Sequence, residues 1–449
     1  MFRWSSLTAA LLGIGGGSVT LPPVVAPAGG QGNQAPSGPI VIKATRLIVG
    51  DGRVIDSPVV IVDGDRIVAV GVSGSVPIPK GARIIDLTGQ TLLPGLIDTH
   101  THLNSSDSDG GDSAVLKETA AHAAVYGTVN AKRTLEAGFT TVRDVGTTGY
   151  ADVAVRDLIA RGVIPGPRMY VAGPSLGSIG GHADVNGYNP AIAIPGTGVI
   201  VNGVDEVRRA VRTNIKYGAD HIKIVATGGI LSQGDAVTSV QFSDEELKAA
   251  VDEAARSGRK VAAHAHGPKG IIAAVRAGVA SIEHGSLIDD EGIALMKEKG
   301  VYLVPTLIIL EEIVRDGAKR GYPDYAIAKA KAVEPERRIR LRKAFQAGVK
   351  FAFGTDATAD IHGRNAQEFP LLVEQLGATP MEAIQMATIN AANLIGIGDR
   401  TGSIVVGKWA DLVAVDGNPL DDVKRLQSVG FVMKSGVVYK GSNPQTSLR

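Results

Sequence analysis

Cysteine is absent from this chain of 449 residues. Its absence excludes disulfide bonds, thiolate metal ligands, a cysteine nucleophile and a lipid anchor attached to cysteine. An excess of charge is also missing, because the formal net charge is +1 and no basic cluster is interleaved with aromatic residues. We therefore expect no nucleic-acid partner. With 44% hydrophobic and 20% charged residues, the composition is typical of a soluble globular protein with a large core.

A long apolar run is lacking as well. The apolar segment near the start, LTAALLGIGGGSV, is too short and too rich in glycine for a membrane span, which needs about 20 apolar residues. It follows Arg3, the only charge ahead of Lys43, and precedes VVAPAGG, which contains an A-x-A cleavage site. These features predict a signal peptide over residues 1–28 and an exported protein, periplasmic or secreted, without a stable membrane span. Residues 29–38 predict a flexible linker.

Short alternating segments occur at both ends of the chain. Near the start, Asp-Gly pairs at 51–52 and 63–64 separate β-branched runs, which is a hairpin signal. The C-terminal end has a similar pattern in GSIVVGKWADLVAVDGNP and FVMKSGVVYKG. We expect residues 39–91 and 400–441 to pair into one small composite β-sandwich domain, which leaves the middle of the chain as an insertion.

The middle of the chain, residues 92–399, alternates short apolar runs with helical patterns. The eight runs are LLPGLID, FTTVRDV, RMYVAG, HIKIVAT, KVAAH, SIEH, VYLVP and VKFAFG. Between the fourth and fifth runs, Ser243 and Glu246 form a capping box at the start of a helix, and Phe242 faces Leu247 as a hydrophobic staple. Strands that alternate with such helices predict an α/β fold, a (β/α)₈ TIM barrel, with a doubly wound sheet as the alternative.

Ionisable side chains fall at the ends of these runs, where a barrel places its catalytic groups. They are His100, His102, Lys223, His264, His284 and Asp356. His100 and His102 are two residues apart, so on a strand both rings point to the same side. Imidazole and carboxylate together suit zinc, with manganese, cobalt or iron as alternatives. A lysine ammonium binds no cation, so Lys223 fits such a site only when it is neutral or converted to a carboxylate.

Several motifs resemble those of the amidohydrolase superfamily. PGLIDTHTHL is similar to its His-x-His signature on strand one, HIKIVATGG to its strand-four lysine, and VAAHAHG and SIEHG to its histidines on strands five and six. FGTDA is similar to its strand-eight aspartate, and the resemblance extends from Val41 to Lys440. The segments GGHAD, KIVATGGILS and HGRNAQEF resemble the imidazolonepropionase-like branch. That branch holds Xaa-Pro dipeptidases, carboxypeptidases that release arginine or lysine, and amidases that cleave N-acyl amino acids such as ochratoxin.

The resemblance implies a site with two divalent metal ions, of which zinc is the expected one. His100, His102 and Asp356 would hold the more buried ion, and the histidines that end runs five and six would hold the second. Lys223, carboxylated on its side-chain nitrogen, would bridge both ions together with a hydroxide. Attack of this hydroxide on an amide, with Asp356 passing its proton to the departing amine, needs no covalent acyl-enzyme.

This chemistry predicts a hydrolase of peptide or amide bonds. The expected reaction releases a C-terminal amino acid from a dipeptide or from an N-acyl amino acid, including amides of the ochratoxin kind. The expected partner is thus a small molecule or a short peptide, and related enzymes imply a homo-oligomer. The alternative is a cyclic-amide hydrolase of the imidazolonepropionase kind.

Four further side chains are candidates for contact with the substrate. His266 lies two residues beyond His264 on the same expected face, and it is a candidate for contact with the substrate and with an oxyanion. His182 and His362 lie in loops after the third and eighth runs, where ligands are often bound. Arg143 is the fourth candidate, because a free carboxylate of the substrate needs a cationic partner.

Two other functions are compatible with parts of the sequence. GPSLG fits the G-x-S-x-G elbow of serine hydrolases with Ser175 as nucleophile, but glycines without a helical period follow it where that motif requires a helix. A barrel without chemistry could serve as a secreted binding protein, although the complete set of six ligand-type residues argues against this. Inhibition by a chelator rather than by a serine-directed reagent would exclude the serine hydrolase. Bound metal would argue against the binding protein, which has no use for it.

Overall fold

The structure is a computed structural model that describes residues 38–106, 116–192, 194, 197–358 and 360–441. The predicted signal peptide, and the predicted linker apart from its last residue, lie outside these ranges. None of the described helices is both long enough and apolar enough to cross a membrane.

Strands and helices alternate through the described residues. The strands are β1 (Ile40–Ile48), β2 (Val54–Asp56), β3 (Pro58–Asp63), β4 (Arg66–Val72), β5 (Arg83–Pro94), β6 (Leu96–Thr101), β7 (Phe139–Asp144), β8 (Arg168–Val171), β9 (Leu176–Ser178), β10 (Val199–Val201), β11 (Ile222–Val225), β12 (Val261–Ala265), β13 (Ser281–His284), β14 (Tyr302–Val304), β15 (Lys350–Phe351), β16 (Leu412–Asp416), β17 (Val429–Lys434) and β18 (Val437–Lys440). The α-helices are α1 (Ala120–Glu136), α2 (Ala151–Ala160), α3 (Val204–Lys216), α4 (Asp244–Arg256), α5 (Pro268–Ala277), α6 (Asp290–Lys299), α7 (Leu307–Asp316), α8 (Asp324–Gln346), α9 (Glu368–Leu371), α10 (Pro380–Gln385) and α11 (Ala391–Ile395). Short 3₁₀ or π turns cover Asn365–Gln367, Leu372–Leu376, Met386–Asn390 and Val423–Gln427.

Both ends of the chain contribute to one sheet of eight strands. Its order is β18–β17–β16–β5–β1–β3–β4, with β2 paired to β1. The two chain ends meet where β5 runs antiparallel to β16, with Pro94 opposite Leu412. One hydrophobic cluster of this sheet draws on both ends and includes Ile42, Ile85 and Phe431. The composite domain predicted from the alternating segments is therefore present, with its strands hydrogen-bonded into a single sheet.

Eight parallel strands form the barrel. They are β6, β7, β8, β11, β12, β13, β14 and β15. Backbone hydrogen bonds complete the ring, because Thr99 N donates to Phe353 O at 2.9 Å between the first and last strands. Between β8 and β11, Asp220 N donates to Val171 O at 2.7 Å. The predicted barrel is confirmed, and each apolar run supplies its strand. The first run is divided, since its opening residues end β5 and its later residues begin β6.

Helix α4, after the fourth barrel strand, shows how local sequence fixes an element. Ser243 Oγ accepts a hydrogen bond from Glu246 N, and the Glu246 carboxylate accepts one from Ser243 N at 2.8 Å. Leu247 and Ala250 are buried, and Gly258 lies just beyond the helix at a left-handed φ of 65°. The predicted capping box is therefore present, and the apolar stripe of the helix packs into the protein core.

The core between strands and helices is closely packed. Its largest cluster includes Leu96, Phe139, Ile224, Ile282 and Phe353, all of which are 0% exposed. Burial of each such side chain contributes roughly 1.5–3 kcal/mol. The rings of Phe139, at the start of the second barrel strand, and Phe353, just beyond the last, lie 5.4 Å apart between centroids. This packing holds the strand ends in place and so positions the polar residues there.

Candidate metal-binding active site

The six predicted ligand residues come together at the carboxyl ends of the barrel strands. They are His100 and His102 (β6 and its end), Lys223 (β11), His264 (β12), His284 (β13) and Asp356 (beyond β15). All six line one cavity of about 220 Å³. Four of them are buried, whereas His102 and Asp356 are partly exposed toward the opening. The convergence expected from barrel geometry is therefore observed.

Asp356 lies between the first two histidines. Its Oδ1 is 3.2 Å from Nε2 of His100 and 3.2 Å from Nε2 of His102. The ring of His284 lies 5.0 Å from that of His100 and 4.6 Å from that of His264, between centroids. The side chains thus form one continuous cluster rather than separate surface contacts.

Two groups of three side chains have the geometry to hold a metal ion. The groups are His100, His284 and Asp356, and His264, His266 and His284, and within each group the ligand atoms lie within 4.8 Å of one another. His266, predicted as a substrate contact, stacks on His284 at 4.9 Å between centroids, and its Nδ1 lies 2.8 Å from Ser286 Oγ. The geometry therefore adds His266 to the candidate ligands, and its contact with substrate stays a prediction.

Three residues at the mouth have a left-handed backbone conformation that residues other than glycine seldom adopt. The φ angle is 70° at His284, 46° at Thr306 and 55° at Asp356. Such a conformation costs on the order of 1–3 kcal/mol and persists only where its surroundings impose it. One such contact joins two of these residues, with His284 Nδ1 2.7 Å from Thr306 Oγ1. Concentrated strain of this kind is typical of functional sites.

Burial keeps the inner histidines neutral. It lowers the pKa of His264 and His284 well below the usual range and lowers the pKa of His266 to about 3. These rings therefore retain a lone pair at neutral pH. Burial raises the pKa of Asp356, but the two adjacent imidazoles outweigh it and hold that pKa well below the usual range. The site thus offers an ionised carboxylate close to the neutral imidazoles of His264, His266 and His284.

Lys223 is only 4% exposed within this cluster. Burial lowers its pKa to about 8, although the charges of Glu283 and Asp356 oppose the change. About a tenth of such a lysine is neutral at pH 7, and the neutral amine is the form that combines with CO₂ to give a carbamate. Neutral imidazoles, a carboxylate and this lysine make a donor set that fits divalent metal ions.

A buried ion pair supports the cluster from within the barrel. Glu283 Oε2 lies 2.7 Å from Nδ1 of His100, and Glu283 Oε1 accepts from Arg143 Nη2 at 2.7 Å. Burial raises the pKa of Glu283, but Arg143 and His100 outweigh it and hold that pKa below its usual range. A carboxylate at Nδ1 fixes the ring so that Nε2 presents its lone pair to the cavity.

Two predicted substrate contacts lie outside the set of described residues that line the cavity. Arg143 donates to Thr99 O and to Ser281 Oγ in addition to Glu283, and these bonds hold its guanidinium inside the barrel. His362 is buried, with its Nε2 3.1 Å from His102 O. The structure therefore gives both residues a supporting position around the first strand, which does not match the contact predicted for them.

His182 lines the cavity, and its contact with substrate stays a prediction. Its ring centroid lies 4.6 Å from that of His264, and its buried Nδ1 has no hydrogen-bond partner among the described residues. Gly229 permits this position, because a Cβ there would come within 2.3 Å of the ring. Burial lowers the pKa of His182 to about 4, so the neutral ring can accept or donate one hydrogen bond.

Ser175 also lines the cavity, but its backbone differs from that of a nucleophile elbow. Strand β9 begins at the next residue, whereas the elbow requires a helix at this point. The serine-hydrolase reading of GPSLG therefore lacks its structural context.

Sequence reasoning did not find two charged residues of the site, Glu283 and Arg337. Glu283 precedes His284, and strict strand alternation would place only one of the two inside the barrel. The left-handed φ at His284 lets both face inward. Arg337 lies on α8, far from any strand end, and nothing in its run EPERRIRLRK distinguishes it from the neighbouring arginines. Its place in the cavity wall is visible only in the structure.

A (β/α)₈ barrel with this donor set at its mouth is typical of hydrolases that use divalent metal ions. Comparison with known proteins agrees. The family model described as the Amidohydrolase family matches residues 91–441. Ochratoxinase from Aspergillus niger is 37% identical over 424 residues, which cover 89% of this chain and 86% of that protein.

The chain is also similar to two other kinds of enzyme. A crystal structure of a Xaa-Pro dipeptidase with bound methionine in the active site has a TM-score of 0.84 and 40% identity, covering 90% of this chain and 100% of that one. Imidazolonepropionase from a Geobacillus species is 26% identical over 356 residues, 75% of this chain and 77% of that protein. The chain therefore belongs to the amidohydrolase family and is a hydrolase that acts on amide bonds.

Proposed function

We propose that the protein is a binuclear metal-dependent amidohydrolase that releases a C-terminal amino acid from a dipeptide or an N-acyl amino acid, amides of the ochratoxin kind included. The observation that carries this proposal is the convergence of the histidines, Lys223 and Asp356 on one cavity. Support for the substrate class comes from the relatives named ochratoxinase and Xaa-Pro dipeptidase. The latter binds methionine, a free amino acid, in its active site.

We infer that zinc is the metal. Divalent ions supply Lewis acidity, which makes water nucleophilic near neutral pH and polarises an amide carbonyl. His100, His102 and Asp356 would hold one ion, and the histidines of β12 and β13 would hold the other. Lys223, carboxylated on Nζ, would contribute oxygen ligands to both, which explains why a lysine with a pKa of about 8 is buried among imidazoles.

Asp356 and the neighbouring histidines would carry out the proton transfers and the binding of the substrate. The low pKa of Asp356 keeps it ionised, so it can accept a proton from the attacking water and pass it to the departing amine. His266 faces the cavity with its Nδ1 held by Ser286, so its Nε2 remains for the substrate or an oxyanion when it is not a ligand. His182, which lines the same cavity, would make a second contact of this kind.

A cyclic-amide hydrolase is the second candidate, because the chain also resembles an imidazolonepropionase over three quarters of its length. Both candidates use the same donor set and differ in the substrate that the cavity admits. Export to the periplasm or beyond and assembly into a homo-oligomer remain predictions from the sequence.

The test is a screen of metal-loaded protein against dipeptides, N-acyl amino acids and cyclic amides. We expect release of the C-terminal amino acid, about two metal ions per chain, loss of activity with a chelator and recovery with zinc. A serine-directed acylating reagent should have no effect. Turnover of cyclic amides alone would favour the second candidate, and turnover without bound metal would contradict both.

A further inference from the structure

The wall of the cavity has an uneven distribution of charge. Asp356 is the one carboxylate among the described residues that line it, and it belongs to the metal cluster. Two cationic side chains, Lys223 and Arg337, line the same cavity, and Lys223 also belongs to the cluster. Among the described residues of the wall, Arg337 is therefore the single charged side chain that does not belong to the metal cluster and can pair with a substrate.

Arg337 is held rigidly but incompletely hydrogen-bonded. It is 1% exposed, and its Nη atoms donate to Leu307 O at 3.2 Å, Glu311 Oε1 at 3.0 Å and Gln375 Oε1 at 3.3 Å. Its Nε is buried without a partner among the described residues. An unpaired buried donor costs about 1–3 kcal/mol, so a ligand that accepts from Nε gains a bond without having to order the side chain.

The wall beside Arg337 is apolar. Ile309, Leu310 and Ile313 on α7 line the cavity together with Ile230 and Leu231 from the loop after β11. Such a surface favours an apolar group over a charged one, because an unpaired cation would lose its hydration there.

Helix α8 fixes this loop in place. Lys329 Nζ donates to Gly229 O at 3.0 Å and to Ser232 O at 2.7 Å, and the Tyr325 hydroxyl donates to Leu231 O at 3.0 Å. Because α8 also carries Arg337, one helix positions both the cation and the apolar wall.

We propose that Arg337 receives the free carboxylate of the substrate and that the wall formed by α7 and the β11 loop accepts an apolar side chain, so that the enzyme releases apolar rather than basic C-terminal residues. This inference rests on the proposed function and specifies its substrate. A carboxylate on Nε would make a charge-assisted hydrogen bond, which is about twice as strong as a neutral one. A lysine or arginine side chain of the substrate would be repelled by the like charge of Arg337. It would also find no carboxylate in the apolar wall to pair with.

The experiment compares metal-loaded enzyme on three substrates with one acyl group. They are N-acetyl-L-phenylalanine, N-acetyl-L-arginine and N-acetylphenethylamine, which keeps the ring but lacks the carboxylate. We expect kcat/KM for the phenylalanine substrate to exceed that for the other two by at least about tenfold, since a hydrogen bond to a charged group has about this effect. Free L-phenylalanine should inhibit more strongly than phenethylamine, which reports binding without turnover.

Substitutions test whether the preference for a substrate with a free carboxylate depends on Arg337. Arg337→Gln should raise KM for N-acetyl-L-phenylalanine by about 10–100-fold and leave kcat/KM for N-acetylphenethylamine unchanged, while Arg337→Lys should recover part of the loss. Arg338→Gln is the matched control, because Arg338 pairs with the same Glu311 but does not line the cavity. It should behave as the parent enzyme. Metal content should match in all four proteins, and each should unfold cooperatively, with Arg337→Gln at a lower temperature because it loses buried hydrogen bonds.

The outcomes separate this inference from the function on which it rests. Equal cleavage of all three substrates, faster cleavage of the arginine substrate, or an equal loss for every substrate in Arg337→Gln would overturn the role of Arg337 and leave the amidohydrolase proposal intact. Failure to cleave any N-acyl amino acid or dipeptide would overturn the proposed function itself, and the inference with it.

Discussion

Two buried lysines lie in different parts of the molecule and have nearly the same electrostatics. Lys223 at the barrel mouth is 4% exposed, and Lys434 in the composite sheet is 9% exposed. Burial lowers the pKa of each to about 8. Lys434 donates to Gly166 O, ahead of the third barrel strand, and its charged neighbours are Arg168 and Asp411.

Their surroundings differ in chemistry rather than in burial. Lys223 shares its cavity with the imidazoles of six histidines and with a carboxylate, which are metal ligands by type. Lys434 has a carbonyl oxygen and the Arg168–Asp411 ion pair nearby. A lowered lysine pKa therefore does not identify a functional site without the donor atoms around it. The comparison supplies matched controls. A substitution at the barrel mouth should change catalysis, whereas the matching substitution around Lys434 and Asp411, which we call the base, should change only the free energy of unfolding.

The largest difference is expected between Asp356 at the barrel mouth and Asp411 beside the composite sheet. Asp356→Asn should lower kcat by about 10²–10⁴-fold, since it removes the proton acceptor and a metal ligand. Asp411→Asn, at the base, should leave kcat unchanged and reduce the free energy of unfolding by about 1–3 kcal/mol, because it weakens the bond to Arg168. Steady-state kinetics and urea unfolding check both, and retained turnover in Asp356→Asn would remove that residue from proton transfer.

The lysines themselves provide the second comparison. Lys223→Met should weaken metal binding by at least about 10–100-fold and abolish most activity, whereas Lys434→Met should keep the parent kcat/KM. Intact-protein mass spectrometry of native enzyme should find the added mass of CO₂ in the parent and in Lys434→Met but not in Lys223→Met. An unmodified parent enzyme that is fully active would contradict the carboxylated lysine.

A smaller effect is expected from the support under His100. Glu283→Gln removes the charge that orients the ring, so metal affinity should fall by about 10–100-fold while the fold is kept. Competition with a chromophoric chelator measures this directly. Glu312→Gln is the control, because Glu312 is a buried glutamate that pairs with Arg315 and Arg364 instead of a histidine. Equal metal affinity in the two variants would remove Glu283 from the support of the site.

The smallest expected effect is the pH dependence of the free energy of unfolding that Lys434, at the base, contributes. The pKa of Lys434 falls on folding from 10.5 to about 8, so the unfolded chain binds more protons between these values. Stability from this group therefore rises with pH across about 8 to 10.5, by at most roughly 3.5 kcal/mol. The free energy of unfolding of the parent should approach that of Lys434→Met over this window. A constant difference between the two proteins would show that Lys434 does not titrate there.

Much of the fold could be predicted because its signals are local. The capping box of Ser243 and Glu246, and the apolar runs that became strands, depend on residues within one element. The six ligand-type residues could also be predicted, because strand ends are visible in the sequence and the barrel brings those ends to one mouth. The split of the first run between β5 and β6 could not, since it depends on pairing with the distant strand β16.

The supporting and specificity-determining contacts needed the tertiary structure. Arg143 lies on a barrel strand, as predicted, yet its direction follows from Glu283, a residue 140 positions away. His266 stands beside His284 only because β12 and β13 are neighbours, and Arg337 reaches the cavity from the middle of a helix. Local periodicity states which face of an element is buried, but not which distant side chain it meets there.

The sequence by itself therefore determined the barrel, the composite domain and the kinds of donor atom at the strand ends, since turn chemistry, capping and alternation act over a few residues. Only the tertiary structure decided which imidazoles share a carboxylate, which arginine supports a ligand and which faces the cavity. Those choices depend on packing between elements far apart in the chain, and on local exceptions such as the left-handed φ of 70° at His284, which lets Glu283 and His284 both face the inside of the barrel.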